Sequence, residues 1–226
     1  MSIKEELKKE VAEEKKKFAQ MSFQDKLWYI GEYYKFHILG VILVIALIGA
    51  IGSTVYRNIY YDTALSGYVL NNQGEPDSIP FTEGFAGHMG YDKYRQLTLQ
   101  SSYVTYGEDA SEYTYATMAK LSALIAAKDL DFMIVDQTNF VHYVEMGGFK
   151  DLEEYLPAHV YETVKDQLIY AEDEAGQSRP YAVSISGTDF AADSLLSDNC
   201  TYLAILNNTM RDDTVLAFVD YLFGIE

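Results

Sequence analysis

The chain contains one cysteine, Cys200, among its 226 residues, so no disulfide can form within it. Small extracellular domains with insufficient cores usually rely on disulfides, and this chain must instead be held together by packing. Cationic side chains are also few: 17 Lys and Arg stand against 34 Asp and Glu, a formal net charge of −17. Because so acidic a surface repels phosphate, we expect no nucleic-acid partner.

The motifs of common catalytic and metal sites are missing as well. No histidine pairs with another His or a Cys at metal-ligand spacing, and the chain has neither a Gly-x-Ser-x-Gly turn nor a Gly-rich phosphate loop. Asp129, Asp131 and Asp136 lie close in sequence. They could form paired carboxylates or a cation site, or they could be acids at the ends of a strand that face solvent. We favour the solvent-exposed reading, and predict a protein that is not an enzyme and holds no metal or cofactor.

Charge is distributed unevenly along the chain. Residues 1–37 carry eight Lys and seven acidic residues, whereas residues 38–226 carry nine Lys or Arg and twenty-seven Asp or Glu. The first segment is rich in helix formers, with Glu-to-Lys pairs four residues apart, which predicts a charged helix that is either solvated or docked on a partner. A second helix is predicted to begin at Ser22, with Asp25 completing a capping box, and to run on into the next segment.

An uncharged apolar stretch covers residues 38–56 and reads ILGVILVIALIGAIGSTVY. As a helix it would span about 28 Å, close to the thickness of the hydrocarbon core of a bilayer. Aromatic residues flank it on both sides, as they do at headgroup depth: Trp28, Tyr29, Tyr33, Tyr34 and Phe36 precede it, and Tyr56, Tyr60 and Tyr61 follow. The sequence therefore predicts a cytoplasmic segment 1–37, a transmembrane helix 38–56 and an extracytoplasmic domain 62–226.

The positive charges near this stretch indicate its orientation. Lys26, Lys35 and His37 precede it, and Arg57 is the one basic residue close behind it. Since Lys and Arg are retained on the cytoplasmic side, we expect a single-pass protein of the cell membrane with its N-terminus in the cytoplasm and its C-terminal domain outside.

Two alternatives concern the same helix. One alternative is a cleaved signal peptide, and Ala50–Gly52 is a passable cleavage pattern for it. However, the 37 residues before the apolar stretch are longer than the charged N-terminal region of a usual signal peptide. Small residues four apart, such as Ala46 and Ala50, would let two helices approach closely, which would make a homo-oligomer.

Strand-like and helix-like patterns alternate beyond residue 62. The strand-like segments are 64–70, 94–104, 131–136, 181–186 and 202–206, and the helix-like segments are 80–90, 111–127, 137–146, 159–167 and 211–223. Residues 149–156 look like a loop or turn. The short continuous apolar run at 131–136 is typical of a buried parallel strand. The alternation predicts βαβ units in an open α/β sheet.

Residues 124–156, LIAAKDLDFMIVDQTNFVHYVEMGGFKDLEEYL, resemble a passage of bacterial extracytoplasmic solute-binding proteins. That family has a fixed order of elements in this passage. A helix is followed by a turn that ends in an acidic residue, then by a buried strand, and then by a second helix with a glycine and an Asp-Leu pair. The matching residues here are Ala126–Asp129, Asp131–Asp136, Tyr143, Gly147–Phe149 and Asp151–Leu152. Residues 206–223 resemble the closing helix of the same family. The resemblance implies a domain like one lobe of a type II periplasmic binding protein. The lone cysteine outside the cell, which is common in Gram-positive bacteria, indicates such a bacterium as the source.

This domain has room for one such lobe, whereas the family usually holds its ligand between two. The resemblance implies a non-catalytic binding or accessory subunit of a bacterial transport or envelope complex, whose partner is a membrane protein or a small solute. The alternative is a structural or protein-interaction scaffold with no small-molecule ligand.

A ligand cleft in an open α/β domain lies beyond the carboxyl ends of parallel strands. Two groups of three residues follow predicted strands and are our candidate ligand-binding residues: Asp136, Gln137 and Thr138 after one, and Ser186, Gly187 and Thr188 after another. The twenty tyrosines could form a surface on which a sugar or peptide stacks, or they could pack half-buried against the sheet. We favour the second interpretation.

Overall fold

The computed structural model describes residues 9, 12–13, 15–17, 19–107 and 110–225. The described residues form two compact units, divided between Ile59 and Tyr60. The charged helix predicted in the first segment lies partly outside the described residues, and those of residues 9–20 that are described are helical. The predicted domain limits at residues 37, 56 and 62 stay predictions.

One helix, α1 (Phe23–Tyr60), runs without a break for 38 residues. Ser22 caps it as the sequence predicts: its hydroxyl accepts the Asp25 N–H at 3.2 Å and donates to the Asp25 carboxylate at 2.6 Å. Within α1, the 23 residues Tyr34–Tyr56 have a mean hydropathy of 2.6, and none of the most apolar part is buried. Among the described residues, this is the one helix long and apolar enough to cross a membrane.

The second unit is an α/β domain built on a six-stranded mixed sheet with strand order β2-β1-β3-β6-β5-β4. Its strands are β1 (Asp62–Leu70), β2 (Arg95–Ser102), β3 (Phe132–Val135), β4 (Leu168–Glu172), β5 (Ser178–Ser184) and β6 (Tyr202–Ile205). β1 pairs in parallel with β2 and with β3. β6 is antiparallel to β3, β5 to β6, and β4 to β5.

The helices of this unit connect the strands and cover the sheet. A π-helix (Pro80–Phe85) leads into α2 (Ala86–His88), and a 3₁₀ turn (Lys165–Gln167) precedes β4. The other helices are α3 (Glu112–Ala126), α4 (Gln137–Glu145), α5 (Leu152–Tyr155), α6 (Ala158–Val164), α7 (Asp189–Asp193) and α8 (Asp212–Phe223).

Alternate side chains of β3 enter two different cores, which explains why the whole strand is apolar. Phe132 and Ile134 join a cluster that includes side chains of the π-helix, α6, α7 and α8. Met133 and Val135 join a second cluster with side chains of α3 and α4. Since residues of a strand point alternately to opposite faces, the sheet is the middle of three layers.

The sequence prediction of an open α/β sheet is confirmed, but βαβ units throughout it are not. They hold for β1, β2 and β3, while the other half of the sheet is antiparallel. β4, which we did not predict, joins β5 through residues 173–177, and so short a connection can link only antiparallel strands. Residues 149–156, predicted as a loop or turn, contain the short helix α5.

Candidate functional site

The carboxyl ends of β1, β3 and β5 lie at one edge of the sheet, which we call the carboxyl edge. β5 is antiparallel to β6 and β6 to β3, so β5 runs in the direction of β3. Val135 at the end of β3 and Ser184 at the end of β5 both pair with Tyr202. With one strand between them, the two groups of candidate residues leave the sheet at the same level, roughly 10 Å apart.

Asp136, the first candidate residue, is tied into the fold. It is the N-cap of α4, and its Oδ1 accepts the Asn139 backbone N–H at 2.9 Å and the Asn139 side-chain amide at 2.7 Å. Its Oδ2 accepts the Asn71 side-chain amide at 3.0 Å. Gln137 and Thr138, in the first turn of α4, are exposed.

The region between the ends of β1 and β3 is where the strand order reverses, and doubly wound sheets bind ligands there. Here hydrogen bonds within the chain occupy it. Asn71, buried and in the left-handed conformation with φ of 64°, donates to the Val104 carbonyl at 3.0 Å and accepts the Val104 N–H at 2.7 Å. The Tyr106 hydroxyl donates to Asn139 Oδ1 at 2.6 Å.

Burial raises the pKa of the Tyr106 hydroxyl, and the neighbouring Tyr143 and Asp136 raise it further. Sequence reasoning missed this network. The signal it left was Asn71 in the turn sequence Asn-Asn-Gln-Gly, since asparagine is one of the few residues that tolerate a left-handed conformation.

Cys200 is fully buried next to the same network, in contact with the backbone at the end of β1. Its thiol donates to the Leu70 carbonyl at 3.0 Å. Burial, together with the charge of Asp136, raises the pKa of the thiol to about 12. Because the thiolate is the reactive form of cysteine, this side chain is chemically inert in the folded domain.

Ser186, Gly187 and Thr188 line a groove of 570 Å³ at the end of β5. Thr188 caps α7: its hydroxyl accepts the Ala191 N–H at 3.2 Å and donates to the Ile185 carbonyl at 2.8 Å. Ser186 and Gly187 are exposed. The other residues that line the groove are Pro80, Gln167, Asp189, Phe190, Asp193 and the segment Tyr221–Gly224 at the end of α8.

The structure therefore separates the two groups of candidate residues. Both stand on the carboxyl edge, but only Ser186, Gly187 and Thr188 border the groove, and Asp136 faces the hydrogen-bond network instead. Sequence reasoning also missed the opposite wall of the groove. Pro80 and Tyr221–Gly224 come from distant parts of the chain, and no local pattern links them to residue 186.

Asp131 contradicts the prediction of strand-end acids in solvent. It is fully buried, and its carboxylate accepts hydrogen bonds from the Ser66 N–H, the Thr209 hydroxyl and the Arg211 guanidinium. Asp129 is exposed, as predicted. Since Asp136 is occupied at the other end of β3, the three acids do not form one site.

Two of the histidines pack against tyrosine rings. The ring of His142 lies 4.4 Å from that of Tyr106, and the ring of His88 lies 5.0 Å from that of Tyr221. In the part of the chain that the structure describes, no three His, Cys, Asp or Glu side chains are grouped as a metal site would need.

The tyrosines divide between packing and exposure. Tyr68 is fully buried, and burial raises the pKa of Tyr143 to about 12. Tyr103, Tyr113 and Tyr115 are exposed near the end of β2 and the start of α3. Packing thus accounts for Tyr68 and Tyr143, and a stacking surface for a sugar or peptide stays a prediction.

A comparison with protein-family models, curated proteins and solved structures finds no significant match to this chain.

Proposed function

We propose that this chain is a membrane-anchored, non-catalytic binding or accessory subunit of a bacterial transport or envelope complex. In this proposal α1 crosses the cell membrane with its N-terminus in the cytoplasm, and the α/β domain lies outside. The groove beside Ser186, Gly187 and Thr188 takes the ligand, a small solute or an exposed group of a partner protein.

One observation carries the proposal: a groove of 570 Å³ opens at the carboxyl end of β5. That volume lies within the range of small-molecule sites in proteins. The groove also lies at the carboxyl edge, where loops that follow the strands carry polar groups, although it stands beside β5 in the antiparallel half of the sheet and not at the switch point between β1 and β3.

The chemistry of the lining favours binding over catalysis. Ser186 and Thr188 supply hydroxyl groups, but no His or Cys among the described residues lines the groove. A serine or threonine nucleophile needs a base within hydrogen-bond reach, and among the described residues neither Asp189 nor Asp193 is hydrogen-bonded to the Ser186 or Thr188 hydroxyl. The Thr188 hydroxyl already donates one hydrogen bond, to the Ile185 carbonyl, and accepts another, from the Ala191 N–H.

The resemblance to solute-binding proteins is supported by where the matching residues lie. They follow one another along the end of α3, strand β3, helix α4 and the start of α5, which is the helix–strand–helix order expected of the family passage. One three-layer α/β domain is likewise in keeping with one lobe. The family relationship itself remains part of the proposal.

A scaffold without a small-molecule ligand is the second candidate. It is favoured by the region between β1 and β3, where the Asp136 carboxylate accepts hydrogen bonds from both Asn71 and Asn139 and is thus occupied within the chain. In that case the domain presents its surface to a protein partner and the groove beside Ser186 has no occupant.

A thermal-shift experiment on the full-length chain in detergent separates these candidates. The chain is screened against amino acids, sugars, short peptides, organic cations and organic anions. A solute at a hundredfold excess over its Kd should raise the Tm by roughly 5 to 10 °C. Ser186→Trp, which fills the groove, should abolish the shift. Ser122→Trp, on the exposed surface of α3, is the matched control and should keep it.

Two outcomes count against a binding groove. If no solute shifts the Tm of the parent chain, the scaffold becomes the better account. If a solute raises the Tm of the Ser186→Trp variant as much as that of the parent chain, the ligand binds elsewhere on the domain.

A further inference from the structure

The groove beside Ser186 has charge of one sign. Its charged lining side chains are Asp189 and Asp193, and no Lys, Arg or His of the described chain lines it. Both aspartates are exposed, and neither carboxylate forms a hydrogen bond or ion pair with any residue that the structure describes. Their negative charges are therefore available to a ligand.

The end of α8 adds to the same negative potential. Residues Tyr221–Gly224 form one wall of the groove, where the last turn of this 12-residue helix ends. Gly224, at φ of 61°, closes the helix by donating its N–H to the Asp220 carbonyl. The final carbonyls of a helix have no partner within it, and together they carry a partial charge of about −0.5.

Aromatic rings line the groove beside these charges. Phe190, Tyr221 and Phe223 all border it. The faces of aromatic rings attract cations, most strongly when the cation is partly desolvated. Here, however, Phe190 is almost fully buried and the Tyr221 ring packs against Phe85 and His88, so the carboxylates and the helix carbonyls are the two features that favour a positive ligand.

The size and composition of the groove distinguish an organic cation from a metal ion. A volume of 570 Å³ is far larger than an ion needs, and two aspartates are too few to replace the hydration shell of a divalent cation. The charge of residues 38–226, nine Lys or Arg against twenty-seven Asp or Glu, would also draw cations toward the domain and repel anions.

We propose that this groove binds an organic cation, an ammonium or guanidinium group, between Asp189, Asp193 and the carboxyl end of α8. The inference rests on the proposed function, since it names the chemical class of the ligand for the same groove. The cation is either that of a free small amine or guanidine or that of a Lys or Arg side chain in a peptide.

Isothermal titration calorimetry on the full-length chain in a neutral detergent tests this. The probes are butylguanidinium, butylammonium, the neutral butyramide and the anionic butyrate, with acetyl-arginine amide as the peptide-like probe. We expect both cations to bind, and neither butyramide nor butyrate. Cation affinity should fall as salt rises from about 0.1 M to about 1 M, because the screening length shrinks from about 10 Å to about 3 Å.

The double variant Asp189→Asn/Asp193→Asn should weaken cation binding by at least about tenfold, a change of about 1.4 kcal/mol in binding free energy. Asp129→Asn/Asp198→Asn is the matched control, because it removes the same net charge from two exposed positions outside the groove. It should keep the affinity of the parent. Equal Tm values for the two double variants establish that both are folded.

The other outcomes are decisive as well. Cation binding that survives Asp189→Asn/Asp193→Asn, or no cation binding at all, overturns the cation site. If butyramide or butyrate binds and Ser186→Trp abolishes that binding, the groove remains a ligand site and only its charge preference was wrong. Tighter binding of acetyl-arginine amide than of butylguanidinium supports a peptide as the source, and the reverse order supports a free solute.

Discussion

At the scale of single residues, Asp131 shows how a buried charge is made compatible with the core. Its carboxylate accepts the Ser66 N–H at 2.8 Å, the Thr209 hydroxyl at 2.6 Å and the Arg211 guanidinium at 3.1 Å. Arg211 also donates to the Thr63 carbonyl at 2.8 Å. These bonds join β1, the start of β3 and the start of α8, so one carboxylate holds three elements together.

We expect Asp131→Ala to destabilise the domain by about 3 to 5 kcal/mol, because it leaves the Arg211 charge and the Ser66 N–H without their partner. Thermal unfolding of the full chain in detergent, followed by circular dichroism, measures the change. Asp129→Ala, two residues away and exposed, should alter stability by no more than about 0.5 kcal/mol. Similar losses in the two variants would mean that the buried pair adds little to stability.

At the scale of elements, β1 and β3 approach each other so closely that only glycine fits between them. Gly67 pairs with Phe132, and a Cβ placed on Gly67 would lie 2.2 Å from the Phe132 ring. The ring has no room to withdraw, because its centroid lies 5.0 Å from that of Phe218 and 5.5 Å from that of Phe81. The parallel pair β1–β3 thus depends on a missing side chain.

Gly67→Ala should cost about 1 to 3 kcal/mol or more through overpacking of this contact. Gly87→Ala is the matched control, since a Cβ there meets nothing within 4 Å. Phe132→Leu combined with Gly67→Ala should recover part of the loss, and a double-mutant cycle of Tm values measures the coupling. Purely additive effects would show that the ring and the glycine do not compete for the same space.

At the scale of the whole molecule, α1 and the α/β domain have opposite relations to water. The side chains of α1 between Ile38 and Ile51 are apolar or absent and are exposed, whereas the domain has two buried cores and an acidic composition. Such a helix needs lipid or another apolar environment, since leaving that much apolar surface in water is unfavourable. The proposed topology places each part in the medium that suits it.

Cysteine labelling tests this topology in intact cells. In a Cys200→Ala background, Tyr170→Cys lies on the exposed surface of the domain and Lys9→Cys lies in the N-terminal segment. A membrane-impermeant maleimide should label Tyr170→Cys in intact cells and Lys9→Cys only after lysis. The reverse pattern would invert the orientation. A mature chain that retains Tyr170→Cys but has lost Lys9→Cys would identify α1 as a cleaved signal sequence.

Local pattern was enough for the elements whose residues interact with near neighbours in the chain. The apolar run in α1, the continuous apolar strand β3 and the helix-like segment 211–223, which is α8, were all read from the local hydrophobic pattern, and the structure agrees. Each has a hydrophobic pattern that its own backbone geometry translates directly into burial or exposure.

Contacts between distant residues decided the rest. Asp131 looked like a solvent-exposed strand end until the fold brought Arg211, 80 positions away, to its carboxylate. The direction of β4 and β5 and the second wall of the groove, from Pro80 and Tyr221–Gly224, likewise depend on how the layers pack. Periodicity in a sequence reports which face of an element is apolar, but only packing selects the element that covers it.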